Sequence, residues 1–225
     1  MQVTEQSAAS KAEQVARSRP AVERWLTWSG LVPLPVFLVL HLSTELYRSF
    51  ASDVGDLVRA APTAFELVTL ALLVWAPLCV HAALGVWLMF GRHEARAVDV
   101  ARLPRALSRS WAIVALAFLI YHTRELTGLV WLGAADARDL GFLLVAKLSS
   151  TRGGVPLHAS AYLLGLLATL AHAGLSTHRG LLAEGLLPTP AKRQRSARAC
   201  AVLATLLFGM GALAVIRVAS GALLH

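Results

Sequence analysis

Four histidines, His41, His81, His122 and His172, stand one apiece inside four of the five long apolar segments of this chain. An ionisable side chain at membrane depth is costly and generally has a function. Neutral imidazole is also the commonest metal ligand in proteins. Four such residues on four different segments suggest two pairs, and two bis-histidine haems inside a helical bundle would use all of them. A single buried histidine taken alone has a plainer reading, a neutral ring hydrogen-bonded to a neighbouring helix. Four matched two by two fit that reading poorly.

The segments that must position them follow from composition. Of 225 residues, 56% are hydrophobic and 15% are charged, where soluble domains carry about 25% charged residues. Apolar runs cover Trp28–Phe50, Ala64–Phe90, Ser108–Leu132, Val155–Ala183 and Ala197–Leu224. Each can cross a hydrocarbon layer of about 30 Å, which takes roughly 20 helical residues. The expected fold is an all-α membrane protein with five transmembrane helices. Residues 1–27 read as a polar cytoplasmic tail without the apolar core and cleavage site of a signal peptide. Residues 28–225 read as a single transmembrane domain, and the short polar connections leave no room for a separate soluble catalytic unit. Cys79 and Cys200 belong to neither a Cys-x-x-Cys pair nor a Cys-x-x-Cys-His attachment motif, so any haem is expected to be held non-covalently.

Charge gives the orientation. The N-terminal tail and the second and fourth connections carry fourteen Lys and Arg residues, against five in the first and third connections. The positive-inside rule then puts the N-terminus inside and the C-terminus outside. The net charge of +8 is accounted for by topology and anionic lipid, not by nucleic-acid binding. Orientation in turn assigns depth. His41 lies 13 residues past Trp28, and His122 lies 14 past Ser108, both on outward-running segments. At 1.5 Å per residue both fall roughly 20 Å beyond the inner ends. On the inward-running segments His81 lies 11 residues before Arg92, and His172 lies 7 before Arg179, about 10–17 Å from the inner ends. Depth therefore pairs His41 with His122 and His81 with His172. Helices one to four would form the haem-binding bundle, with the fifth packed outside. Zinc is less well served, since each level offers two histidines and a structural zinc site wants four ligands. Gly85 and Gly174, close to the inner pair, could let a flat macrocycle approach the backbone, or could simply ease helix packing. Pro77 frees the carbonyl of Leu73 and is placed to kink segment two ahead of His81.

The chain resembles the two-haem cytochrome b membrane-anchor subunit of the succinate dehydrogenase and fumarate reductase family. The resemblance covers roughly residues 21–215. It rests on five spans in one chain and on ordered signatures: Leu31-Val32-Pro33 leading to His41-Leu42, Pro77 to His81 with Gly85, Tyr121-His122 with Glu125, and His172 with Gly174. The stretch Leu186-Leu187-Pro188-Thr189-Pro190 and a basic run follow. It implies that His41 and His122 ligate a distal b-type haem and His81 and His172 a proximal one. It implies a flavoprotein subunit and an iron–sulfur subunit on the cytoplasmic side of a bacterial inner membrane. Electrons would pass from the iron–sulfur subunit to a quinone, usually menaquinone for the two-haem type. The isolated chain is not expected to oxidise succinate, because nothing in it resembles a flavin or dicarboxylate site.

Two carboxylates follow the distal ligands at helical spacing, Glu45 at i+4 from His41 and Glu125 at i+3 from His122, which puts each on its ligand's face. With Arg124, and with Glu66 at the start of segment two, they outline an outer quinone and proton site. The alternative is that Glu45 pairs with Arg48 and the charges snorkel to the interface. His178, Arg179 and Arg92 are placed to meet the propionates of the proximal haem, and Arg217 is expected to snorkel outward. In a related fumarate reductase a carboxylate two residues before the fourth ligand serves a transmembrane proton path; here that position is Leu170, which favours electrogenic turnover. Two rival readings are a hydrogenase or formate dehydrogenase cytochrome b, in which one helix often carries two ligands, and a haem-free transporter whose histidines relay protons.

Overall fold

The computed structural model describes residues 21–31, 33–50, 68–90, 105–134, 136 and 139–220. Among them the chain is helical, apart from turns and one isolated bridge between Arg152 and Val155. The helices are α1 (Ala21–Leu31), α2 (Pro33–Arg48), α3 (Ala76–Phe90), α4 (Arg105–Thr123), α5 (Leu129–Trp131), α6 (Leu140–Ser149), α7 (Leu157–Ala183) and α8 (Pro190–Ala219). Two π-helical turns, Ala71–Trp75 and Arg124–Gly128, lead into α3 and join α4 to α5.

Four helical stretches are long and apolar enough to cross a membrane: Ala21–Arg48, Val68–Phe90, Leu157–Ala183 and Pro190–Ala219. Their outward faces carry exposed Leu72, Leu73, Val202 and Leu206, as helices solvated by lipid require. The expected third span is a helical run from Arg105 to Trp131. The π turn interrupts it, and its apolar α-helical part, Leu107–Thr123, is shorter than a full span.

Local chemistry fixes the helix ends, some of them away from the apolar boundaries. Thr189 accepts a hydrogen bond from the Lys192 amide at 3.3 Å, and Pro190 occupies the first helical position. A capping hydroxyl followed by proline starts a helix efficiently, so α8 begins seven residues before Ala197. Gly185, at φ 74°, closes α7 with amide bonds from Gly185 to Leu182 and from Leu186 to Leu181. Gly133 repeats this arrangement after α5, with bonds to Val130 and Leu129. Both are left-handed caps that glycine adopts without a Cβ penalty. Helix α1 begins at Ala21, ahead of the apolar boundary at Trp28.

Helix α7 is the central element. It packs on α8 and α4 most extensively, and on α1 and α6. One buried cluster joins Leu42, Leu166, Leu170 and Leu207, and another joins Val145, Leu148, Ala159, Tyr162 and Val218. The last span packs closely, since α8 buries Leu207, Ala214 and Val218 against its neighbours. Gly211 lets it do so, since a Cβ there would lie 2.6 Å from Leu166. The third connection also folds: α6 docks through Val145 and Leu148, which are among the least exposed side chains. Arg217 does not snorkel freely. Its Nε donates to the Ser49 carbonyl at 2.8 Å, and its guanidinium lies 4.1 Å from the Phe50 ring centre, tying α8 to the end of α2.

Candidate functional site

The four histidines converge as two ring pairs. The His81 and His172 rings have centroids 6.1 Å apart at an interplanar angle of 63°; those of His41 and His122 are 5.9 Å apart at 71°. These are the combinations that share a depth. α2 and α4 each carry one ring of the second pair, and α3 and α7 each carry one of the first.

His81 is oriented by a backbone group. Its Nδ1 lies 3.0 Å from the Leu26 carbonyl. A carbonyl only accepts, so Nδ1 carries the proton and donates, which leaves the Nε2 lone pair available to a metal. Metal-ligating histidines are commonly fixed in this way. The approach depends on Gly30, one turn after Leu26: a Cβ there would lie 2.6 Å from both Cε1 and Nδ1 of His81. Both α1 groups lie near or inside the expected tail, and sequence reasoning missed them. A backbone carbonyl leaves no side-chain signature, and Gly30 is one of 16 glycines.

The second pair stands among aromatic rings. Phe37 stacks on His41 at 5.2 Å and 8°, while Phe118 and Tyr162 each lie 5.6 Å from His122. His122 Nδ1 is buried with no hydrogen-bond partner, a costly condition unless a ligand or ion completes it. Gly165 is a second missed device, because a side chain there would run into the Phe118 ring. Gly174, by contrast, faces the Cys200 carbonyl at 3.5 Å and Ala204 at 3.6 Å from a Cβ position, so it serves helix packing.

The centroid separations are compatible with two imidazoles sharing one metal ion. With metal–nitrogen distances of about 2 Å and a nitrogen about 1 Å from its ring centre, rings on opposite sides of one ion have centroids about 6 Å apart. Among the described residues no cluster of three His, Cys, Asp or Glu groups could hold a metal ion. A two-imidazole donor set suits an ion whose remaining ligands come from a macrocycle, as in bis-histidine haem.

The other expected site residues divide. Glu45 lies 4.0 Å from His41 Nδ1 and 3.5 Å from Arg48. Glu125 is ion-paired with Lys147 of α6, so the two carboxylates have different partners. Arg124 is exposed on the π turn. Glu66 and Arg92 lie outside the described residues. His178 is 3.1 Å from the Ser196 hydroxyl, and Arg179 donates to the Ser108 hydroxyl at 2.6 Å. These contacts tie α7 to α8 and α4, and Arg179 keeps four further donors. His158 accepts from or donates to the Tyr121 hydroxyl at 2.8 Å. Comparison with protein-family models, curated proteins and solved structures gives no match for this chain.

Proposed function

We propose that this chain is the membrane anchor and electron-transfer subunit of a succinate:quinone oxidoreductase, with five transmembrane helices and its N-terminus inside a bacterial inner membrane. The observation that carries the reading is the pairing of four intramembrane histidines into two facing sets at 5.9 and 6.1 Å. When bound, two b haems would supply one-electron carriers between an iron–sulfur subunit inside and a quinone, menaquinone by resemblance.

The chain's own groups have definite tasks in this reading. His81 and His172 would hold the inner haem iron, and His41 and His122 the outer one. The Leu26 carbonyl holds the His81 proton on Nδ1. Phe37, Phe118 and Tyr162 crowd the His41–His122 pair. His178 and Arg179, at the inner end of α7, offer cationic donors to carboxylates, for which charge-assisted hydrogen bonds are strong. Glu45, Glu66, Arg124 and Glu125 supply titratable groups on the quinone side. Leu170 is buried among Leu42, Leu166 and Leu207, so the position of the proton-path carboxylate is apolar, which favours electrogenic turnover. A flavoprotein subunit would perform the dicarboxylate chemistry.

The deciding experiment is haem content per chain in the purified membrane complex, by pyridine haemochrome assay with a redox titration. Two b-type components are expected; none would refute the reading. Normal quinone reactivity in both Glu45→Gln and Glu66→Gln would remove those two residues from the quinone site.

A further inference from the structure

The opening turns of α8 carry Lys192, Arg193, Arg195 and Arg198, all exposed. At about 100° per residue, Lys192 and Arg198 fall within about 60° of Arg195 around the helix. Arg193 points elsewhere, and its Nε donates to the Leu187 carbonyl at 3.0 Å. The same line continues through Val202, Leu206 and Leu213, each exposed. Gly209 interrupts it with a notch, since a Cβ there would meet nothing within 4 Å. The buried side of α8, with Leu207, Gly211, Ala214 and Val218, lies roughly 130° away around the axis. One face of one helix thus runs from three cations into an apolar track.

Neighbouring helices mark the level of that transition. Ser196, between Arg195 and Arg198, lies 3.1 Å from His178 Nδ1 on α7, and Arg179 of α7 donates to Ser108 of α4 at 2.6 Å. Polar side chains of three helices meet at one height, as they do at a membrane interface. From Lys192 to Arg198 the helix rises about 9 Å, close to the roughly 5–8 Å of one headgroup layer. Arg198, on the membrane side of Ser196, reaches that layer by snorkelling. A soluble acidic partner would not match a surface that continues as hydrocarbon contact along Val202 and Leu206. A second copy packed on this face in the same membrane would set its α8 parallel and bring like cations together, which is unfavourable. An anionic headgroup with acyl chains satisfies both ends of the face.

We propose that this face of α8 binds one anionic phospholipid, its phosphate held by Lys192, Arg195 and Arg198 and an acyl chain laid along Val202 and Leu206 toward Gly209. The site needs only the membrane-spanning helices and is independent of haem and quinone.

The test uses the full chain, purified with its native partners in neutral detergent and titrated with phosphatidylglycerol or phosphatidylcholine. Native mass spectrometry counts the lipid retained per chain, and circular dichroism checks the helicity of each variant. Phosphatidylglycerol should bind saturably at one copy per chain, and phosphatidylcholine more weakly. Each cation at an anionic headgroup is worth about fivefold in affinity. The triple variant Lys192→Gln, Arg195→Gln and Arg198→Gln should therefore lose roughly a hundredfold, and Arg195→Gln alone about fivefold. A control triple, Arg24→Gln, Arg109→Gln and Arg193→Gln, removes the same charge away from this face and should leave the affinity nearly unchanged. Unchanged binding in the α8 triple overturns the proposal. Equal losses in the two triples also overturn it, because general charge would then explain the attraction. Equal retention of the two lipids, or a stable dimer joined through α8, does the same. If the α8 triple loses helicity, Arg195→Gln decides: a fivefold loss supports the site and an unchanged affinity overturns it.

Discussion

Gly30→Ala is the sharpest perturbation the geometry offers. A Cβ at this position would lie 2.6 Å from both Cε1 and Nδ1 of His81, where carbon contacts need about 3.5 Å or more. The ring must retreat by roughly 1 Å, and the 3.0 Å bond from His81 Nδ1 to the Leu26 carbonyl would lengthen toward 4 Å and be lost. With His81 as a metal ligand, as proposed, removing this outer partner would cost about 10–100-fold in metal affinity, or about 1.4–2.7 kcal/mol. Local helix energetics push the other way, because alanine favours a helix interior over glycine by about 1 kcal/mol. The two effects are separable by assay. Haemochrome content and a redox titration should reveal one component depleted or shifted and the other unchanged, while low-spin ferric electron paramagnetic resonance shows a changed signal for the affected pair only. A Gly30→Ala protein with two components of unaltered potential and spectrum, and a raised melting temperature, would refute the positioning role.

Other outcomes follow from the same contacts. His172→Ala should remove one redox component and His122→Ala the other; loss of both components from a single change would refute independent pairs. Gly165→Ala should overpack against Phe118 at about 1–3 kcal/mol, lowering the melting temperature and perturbing the His41–His122 component selectively. Arg217→Leu deletes the bond to the Ser49 carbonyl and the Phe50 contact and should cost about 1–3 kcal/mol, read as a lower melting temperature with haem content per folded chain unchanged. Lys147→Met leaves Glu125 unpaired and should cost about 1–3 kcal/mol, below the 3–5 typical of fully buried pairs because Lys147 is partly exposed; adding Glu125→Leu should recover most of the loss.

Sequence and structure agree on which histidines come together and on Glu45 lying beside His41, while the partner of Glu125 came from the structure. The pairing of His41 with His122 and of His81 with His172 needs only segment direction and a rise of 1.5 Å per residue. The facing of Glu45 and Glu125 needed each carboxylate to share a face with its histidine. After His122 the chain enters a π turn at Arg124, and Glu125 ends up paired with Lys147. Nor did the apolar pattern announce α6, because a ten-residue stretch rich in Leu, Phe and Val is too short for a span and was read as connection.

This difference has a simple cause. One extra residue in a helix moves everything beyond it by about 1.5 Å along the axis but by about 100° around it. A π turn is such an insertion, and these turns concentrate at functional sites. Here one precedes His81 and the other follows His122. Ligand levels therefore survive the insertions almost unchanged, whereas any face assignment carried across one of them is rotated by more than a quarter turn. In a bundle of this kind the axial coordinate of an intramembrane histidine is the quantity that sequence conveys best. The partner of a carboxylate inside a π turn, as Lys147 is for Glu125, has to come from structure.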